Sequence, residues 1–269
     1  MTETLNTAAD VPPSAPDDTG PSPELLAFVD AVRDLPPAGI TACPGRTVFR
    51  MACHMAGAVE EIDRHVVGYL AGTPVHRTRM FEEREEPYFT LSTPEVLDRL
   101  LEGDEALREH MAELLDREPD AHLTWTSRTV RAKGFLSHLR NECAVHRWDM
   151  VGDDEASREL LSQPDLLRHT VEFLGAIPLQ ARGIAAGAGS GRSVSYRLRA
   201  PGQDDLVVGV RAGEQELRLV PQRGAVLAEG DPAARHLLVW GRRAQPFSRM
   251  HCLGDPDELR RLQMLLAGY

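Results

Sequence analysis

Two histidines and a glutamate are spaced to hold a divalent cation. In the segment GFLSHLRNECAVHRWDM, Phe135, Leu139, Glu142, Cys143, His146 and Met150 recur at helical intervals and fall on one face. Glu142 and His146 therefore lie on the stripe expected to face the core. A carboxylate is almost never fully buried unless it is paired or ligates a metal. The four-residue interval stacks Glu142 and His146 one above the other, within reach of a single ion. His54 stands between Met51 and Met55 on a second helical segment and supplies the third ligand, because bundles build metal sites from facing helices. Two imidazoles and a carboxylate, with a position left open, make a catalytic zinc site, and iron(II) accepts the same set. The bland reading of a Glu-x-x-x-His pair is a solvated helix face. The inward placement and the addition of His54 favour the cation.

Neighbouring residues extend the row. Asp149 follows His146 by three and either hydrogen-bonds a ligand imidazole or faces water at the helix end. His138 reads as a surface residue rather than a ligand. Cys143, like Cys53 and Cys252, reads as a small buried apolar group rather than a nucleophile.

The elements that must position these groups are mostly helical in the first two-thirds. Residues 1–21, rich in Pro, Thr, Ser, Asp and Ala, read as a disordered leader. Ser22-Pro23 caps a first helix that Pro36-Pro37 stops. Thr47 opens a long helix to about Leu70, with Met51, Met55, Val59, Ile62, Val66 and Leu70 as its stripe. Gly72 to Leu91 reads as a loop, in which the charge run FEEREEPY is most simply solvated, although loops at a bundle mouth also gate substrate. Ser92 and Glu95 form a capping box for a third long helix ending at Pro119. Helices follow over about Ala132 to Met150 and Asp165 to Ala176. Long amphipathic helices joined by loops predict a helical bundle over residues 22–180.

Residues 181–192, ARGIAAGAGSGR, read as a linker. From 193 to 269 the apolar period becomes two at Val194, Tyr196 and Leu198, then at Leu206, Val208 and Val210. Two helices announced by Asp231-Pro232 and Asp255-Pro256 complete a small α+β domain, with a short strand at about Ser248 to Leu253 between them.

The chain has 269 residues and a formal net charge of -11, which argues against nucleic acid or anionic lipid as the main partner. Four scattered cysteines, the lack of a signal-peptide pattern and the absence of an apolar stretch near the ~20 residues of a membrane helix point to the cytoplasm.

CPG at Cys43 to Gly45, HMAG at His54 to Gly57 and NECAVHRWD at Asn141 to Asp149 resemble the mycothiol-dependent maleylpyruvate isomerase family. VWGR at Val239 to Arg242 and LGDPDEL at Leu253 to Leu259 look like the same family. The resemblance covers roughly residues 23 to 269. It implies a DinB-like four-helix bundle followed by a sterol-carrier-like α+β domain, with His54, Glu142 and His146 as ligands, usually of zinc. It also implies mycothiol, a low-molecular-weight thiol, as nucleophile toward a small electrophilic substrate, with isomerisation or S-transfer as the outcome. It places Arg242 near the inter-domain cleft, where a guanidinium clamps a substrate carboxylate; an exposed helix cap is the alternative. The family usually has Trp after CPG, and here stands Arg46, which leaves the substrate open.

A hydrolase using metal-bound hydroxide and a non-catalytic binding protein of the same fold compete with the thiol reading. Ser-His-Asp catalysis has no G-x-S-x-G elbow to support it, and GAGSGR lacks the lysine of a phosphate loop.

Overall fold

The computed structural model describes residues 20–126, 128–174, 194–211, 214–242 and 249–266. The expected leader falls outside them except for Gly20 and Pro21, and the expected linker 181–192 lies wholly outside.

Helix α1 spans Pro23–Asp34, with the Ser22 hydroxyl accepting from Leu25 N and Pro at the first turn. Helix α2 spans Val48–Leu70, capped by Thr47. A short helix α3, Phe81–Glu85, follows, and a 3-10 turn at Glu86–Tyr88 continues it. Helix α4 spans Thr93–Arg117, and Glu95 closes the capping box by accepting from Ser92 N at 2.7 Å. Strands β1, His122–Trp125, and β2, Arg128–Arg131, form an antiparallel hairpin. Helix α5 spans Gly134–Val151. Helices α6, Glu155–Leu161, and α7, Pro164–His169, come next, and a π-helical turn at Thr170–Leu174 extends the second.

Helices α1, α2, α4, α5 and the hairpin share one core around Phe28, Met51, Met55, Ile62, Leu100, Met111 and Phe135. Pairing is closest between α2 and α4 and between α1 and α5. The helix expected over about Asp165 to Ala176 corresponds to α7 and its π-helical turn as far as the described residues reach, whereas the seven-residue α6 has too few turns to show an apolar stripe in the sequence. The hairpin was not anticipated, because two four-residue strands give too few alternations to separate from a loop.

The remaining strands build a five-stranded sheet: β3 Val194–Arg199, β4 Asp205–Arg211, β5 Glu214–Val220, β6 Ala228–Gly230 and β7 Met250–Cys252, in the order β5-β4-β3-β6-β7. Only the β3–β6 pairing is parallel. Helices α8, Pro232–Val239, and α9, Pro256–Leu265, start at the two Asp-Pro signals, with Asp231 and Asp255 as caps. Tyr196, Leu198, Leu206 and Val208 pack with Leu238 and Leu262 beneath them. No described helix is long and apolar enough to cross a membrane.

A third apolar cluster joins the helical part to the sheet part. Ala144, Val145 and Trp148 of α5 meet Leu161, Leu166, Leu237 and Trp240 there. A buried polar chain runs through it. Asn141 Nδ2 donates to Thr170 Oγ1 at 2.7 Å, Thr170 Oγ1 meets His236 Nε2 at 3.1 Å, and Trp240 Nε1 donates to Thr170 Oγ1 at 3.2 Å. His236 Nδ1 lies 3.1 Å from the Leu161 carbonyl. Burial lowers the His236 pKa to about 4. Its stabilising contribution is therefore present above the unfolded-state value of about 6.5 and is lost as pH falls toward 4. A His236→Asn variant is expected to show a shallower loss of melting temperature between pH 7 and 4 than wild type; identical slopes would remove His236 as a cause.

Gly57 sits one turn beyond His54 on α2, where a Cβ would meet the Arg84 carbonyl oxygen at 2.6 Å. This close approach sets α3 against α2. Gly57→Ala should lose about 1–3 kcal/mol by overpacking, more than the ~1 kcal/mol an alanine gains within a helix. Urea unfolding of the variant at or above the wild-type midpoint would contradict that approach.

Candidate metal centre

α2 presents His54 and α5 presents Glu142 and His146 to the same point. His54 Nε2 lies 3.3 Å from Glu142 Oε2, and His146 Nε2 lies 3.4 Å from that oxygen. One ligand atom from each of the three residues falls within 4.8 Å of the others. The two imidazoles stand edge to face with centroids 5.1 Å apart. All three side chains are largely buried.

Each imidazole turns its remote nitrogen to a carboxylate. His54 Nδ1 lies 2.8 Å from Glu85 Oε1, and His146 Nδ1 lies 2.9 Å from Asp149 Oδ2. With Nδ1 protonated toward these acceptors, each Nε2 faces the shared centre, as a proton donor to Glu142 while the ring is charged and as a lone pair once it is neutral. This is the tautomer and orientation a metal-binding histidine requires. The donor set, the convergence and the carboxylate supports all fit a divalent ion.

The supporting carboxylates are themselves tied down. Arg46 donates to both Glu85 oxygens, each at 2.9 Å. Arg242 donates through Nε to Asp149 Oδ1 at 2.9 Å and through Nη2 to Oδ2, while its Nη1 holds the Trp240 carbonyl at 2.7 Å. The Asp149 carbonyl accepts from Ala42 N at 2.7 Å, which fixes the turn carrying Cys43 beside the centre.

The electrostatics follow from these contacts. Burial alone would raise the Glu142 carboxyl, yet the hydrogen bonds with His146 and His54 bring it well below the usual carboxylate range. Burial likewise opposes ionisation of Glu85, and His54 and Arg46 overcome it, bringing its pKa to about 2. Asp149 is lowered too, with burial opposed by His146 and Arg242. Burial disfavours the charged form of His146, but Asp149 and Glu142 raise its pKa. Three anionic carboxylates thus surround the two imidazoles.

His54, Glu142 and His146, singled out from spacing, are brought together. Asp149, for which sequence left two readings, hydrogen-bonds His146. Arg242 is no exposed cap: its bidentate edge is taken up by Asp149 across the seam between the two parts of the chain. His138 is buried rather than at the surface, with Nε2 3.7 Å from Glu142 Oε1. Cys53 and Cys143 are buried, as expected, whereas Cys252 is only partly so.

Glu85 was missed. The charge run FEEREEPY is not a solvated loop: it forms α3, and Arg84 and Glu85 within it are buried. Nothing in the run distinguishes Glu85 from Glu82, Glu83 or Glu86. The nearest hint is Arg46, whose presence after CPG calls for a counterion. A cavity of about 1410 Å³ lies elsewhere, between α1, α4, α5 and the hairpin, and none of the three candidate ligands lines it.

Comparison with known proteins bears on the fold. The family model described as the mycothiol maleylpyruvate isomerase N-terminal domain matches residues 22–151. Among solved structures, the fold is similar to that of the mycothiol-dependent maleylpyruvate isomerase, with a TM-score of 0.52 at 16% identity over 81% of this chain and 85% of that one. A histidine-to-alanine mutant of the same isomerase gives a TM-score of 0.53 at 16% identity, over 82% of this chain and 86% of that one. No curated protein matches the chain.

Proposed function

We propose, from the premise that the chain belongs through residues 22–151 to the mycothiol maleylpyruvate isomerase N-terminal domain family, that it is a metal-dependent enzyme using mycothiol against a small electrophile. In this reading residues 22–180 are a DinB-like four-helix bundle and 193–269 a sterol-carrier-like α+β domain. The reaction is cis-trans isomerisation or transfer of the thiol to the substrate. The observation that carries the proposal is the convergence of His54 Nε2, His146 Nε2 and Glu142 Oε2, with both imidazoles fixed from behind by carboxylates.

His54, Glu142 and His146 would hold the ion, zinc being the usual choice for this donor set. A divalent cation there keeps a bound thiol as its reactive thiolate at neutral pH. Glu85 and Asp149 hold the ligand protons on Nδ1, so neither imidazole is free to rotate. Arg46 and Arg242 cancel the charge of those two carboxylates and keep them buried. Arg242 is in this reading a positioning residue, acting through Asp149 on His146. The cost of the ordering is met by the fold, before any substrate arrives.

The proposal is tested by metal analysis followed by turnover assays with mycothiol and a panel of unsaturated carbonyl electrophiles. Consumption of the thiol identifies transfer, and thiol-stimulated turnover without net loss identifies isomerisation. Turnover independent of thiol would replace the proposal with hydrolysis, and no turnover at all would leave a binding protein.

A further inference from the structure

Among the described residues three guanidinium groups lie about the candidate metal centre, and two of them have a counterion there. Arg46 is bidentate to Glu85 and Arg242 is bidentate to Asp149. Arg84 is 6% exposed, and its side chain makes no hydrogen bond or ion pair with any described residue. Its Nε is buried with no partner. The guanidinium rests instead on aromatic faces, 4.6 Å from the Phe81 ring centroid and 6.0 Å from that of Trp125.

The acids nearest in charge are already committed. Glu142 faces His54 and His146, Glu85 faces His54 and Arg46, and Glu61 is engaged by Arg64 and Arg79. Burial pushes the Arg84 pKa down, with the fields of Glu142 and Glu85 opposing it. A buried cation lacking a partner is destabilising and makes poor structural material. Such a group is expected where an anion arrives later.

The surroundings indicate which anion. Phe81 lies 5.4 Å from the His54 ring and is half exposed, so one aromatic face links the mouth of the site, the candidate ligand His54 and Arg84. With Arg46 and Arg242 neutralised, a divalent ion beside Glu142 and the charge of Arg84 leave the pocket net positive. A guanidinium flanked by aromatic rings accepts a planar conjugated carboxylate bidentately.

We propose that Arg84 is the substrate-binding arginine of this site and receives the carboxylate of an unsaturated carboxylic acid electrophile. This rests on the thiol-dependent reading above for the reaction that follows, but not for the binding itself.

The test uses the full chain and crotonate, a planar unsaturated carboxylate, with crotonamide as its neutral counterpart, by isothermal titration calorimetry. Metal content is measured first, so a failure of the metal reading is recorded before any carboxylate is added. Wild type should bind crotonate at least about tenfold more tightly than crotonamide, and Arg84→Met should lose that preference with unchanged metal content. Arg84→Met should also raise the melting temperature, since it removes an uncompensated buried charge, whereas a structural role would lower it. Arg84→Lys keeps the charge but not the fork and should fall between the two. Equal binding of acid and amide by wild type, no crotonate binding, or undiminished binding by Arg84→Met would overturn the proposal. If Arg84→Met does not fold, the acid–amide comparison and Arg84→Lys decide.

Discussion

Alanine at His146 is expected to leave the protein helical and without its divalent ion. Structural zinc bound by four protein ligands is worth about 10–16 kcal/mol, so each ligand contributes about 3 kcal/mol, and losing one weakens binding by about a hundredfold or more. His146 also faces Asp149, but that carboxylate keeps Arg242 and is not stranded by the change. Alanine is the best helix former, and α5 extends on both sides of the position, so far-ultraviolet circular dichroism should be unaltered. His54→Ala should give the same metal loss from the opposite helix. It would leave Glu85 to Arg46 alone. Metal analysis after dialysis reads both variants. Wild-type stoichiometry in the two of them would sink the assignment, and with it the proposed chemistry.

The second large effect is expected at Asp149. It lies on α5 yet holds three things at once: the Nδ1 of His146, the guanidinium of Arg242 and, through its carbonyl, the turn before α2. Asp149→Asn offers one acceptor oxygen and a donor amide in place of a symmetric anion, so either His146 or Arg242 loses its partner. Loss of such a supporting carboxylate typically weakens metal affinity ten- to a hundredfold, and an interrupted buried ion pair costs about 3–5 kcal/mol. The Arg242 side chain is 11% exposed, so little of that charge is recovered by water. The expected result is therefore a joint fall in zinc affinity, read by chelator competition, and in unfolding free energy. Combining Asp149→Asn with Arg242→Leu should restore part of the stability but none of the affinity, because the two effects have different origins. Unchanged zinc affinity in Asp149→Asn would show that the His146–Asp149 contact does not orient the ligand.

Legibility in the sequence followed the range of the interaction. The stripe containing Phe135, Leu139, Glu142 and His146 was readable because helical geometry is periodic, and a charged group at a core position demands a partner. Cap positions at Ser22, Ser92, Asp231 and Asp255 were readable for a related reason, since their hydrogen bonds are made within three residues. The change of apolar period from helical to alternating marked the sheet-forming part before any strand was seen.

Glu85 shows the opposite case. It lies 31 positions from His54 in a run of like residues, and no local rule ranks one glutamate of that run above another. Its role depends on α3 settling against α2 at Gly57 and on Arg46 arriving from a different turn. The role of Arg242 had the same obstacle at greater separation, 93 positions from Asp149. The residue types and intervals on α2 and α5 were enough by themselves to single out His54, Glu142 and His146 as a candidate triad and to place the helices that bear it. Which carboxylates orient its imidazoles, which arginines are neutralised and which one is left without a counterion were decided only by tertiary packing, because those pairings join segments whose approach no sequence interval encodes.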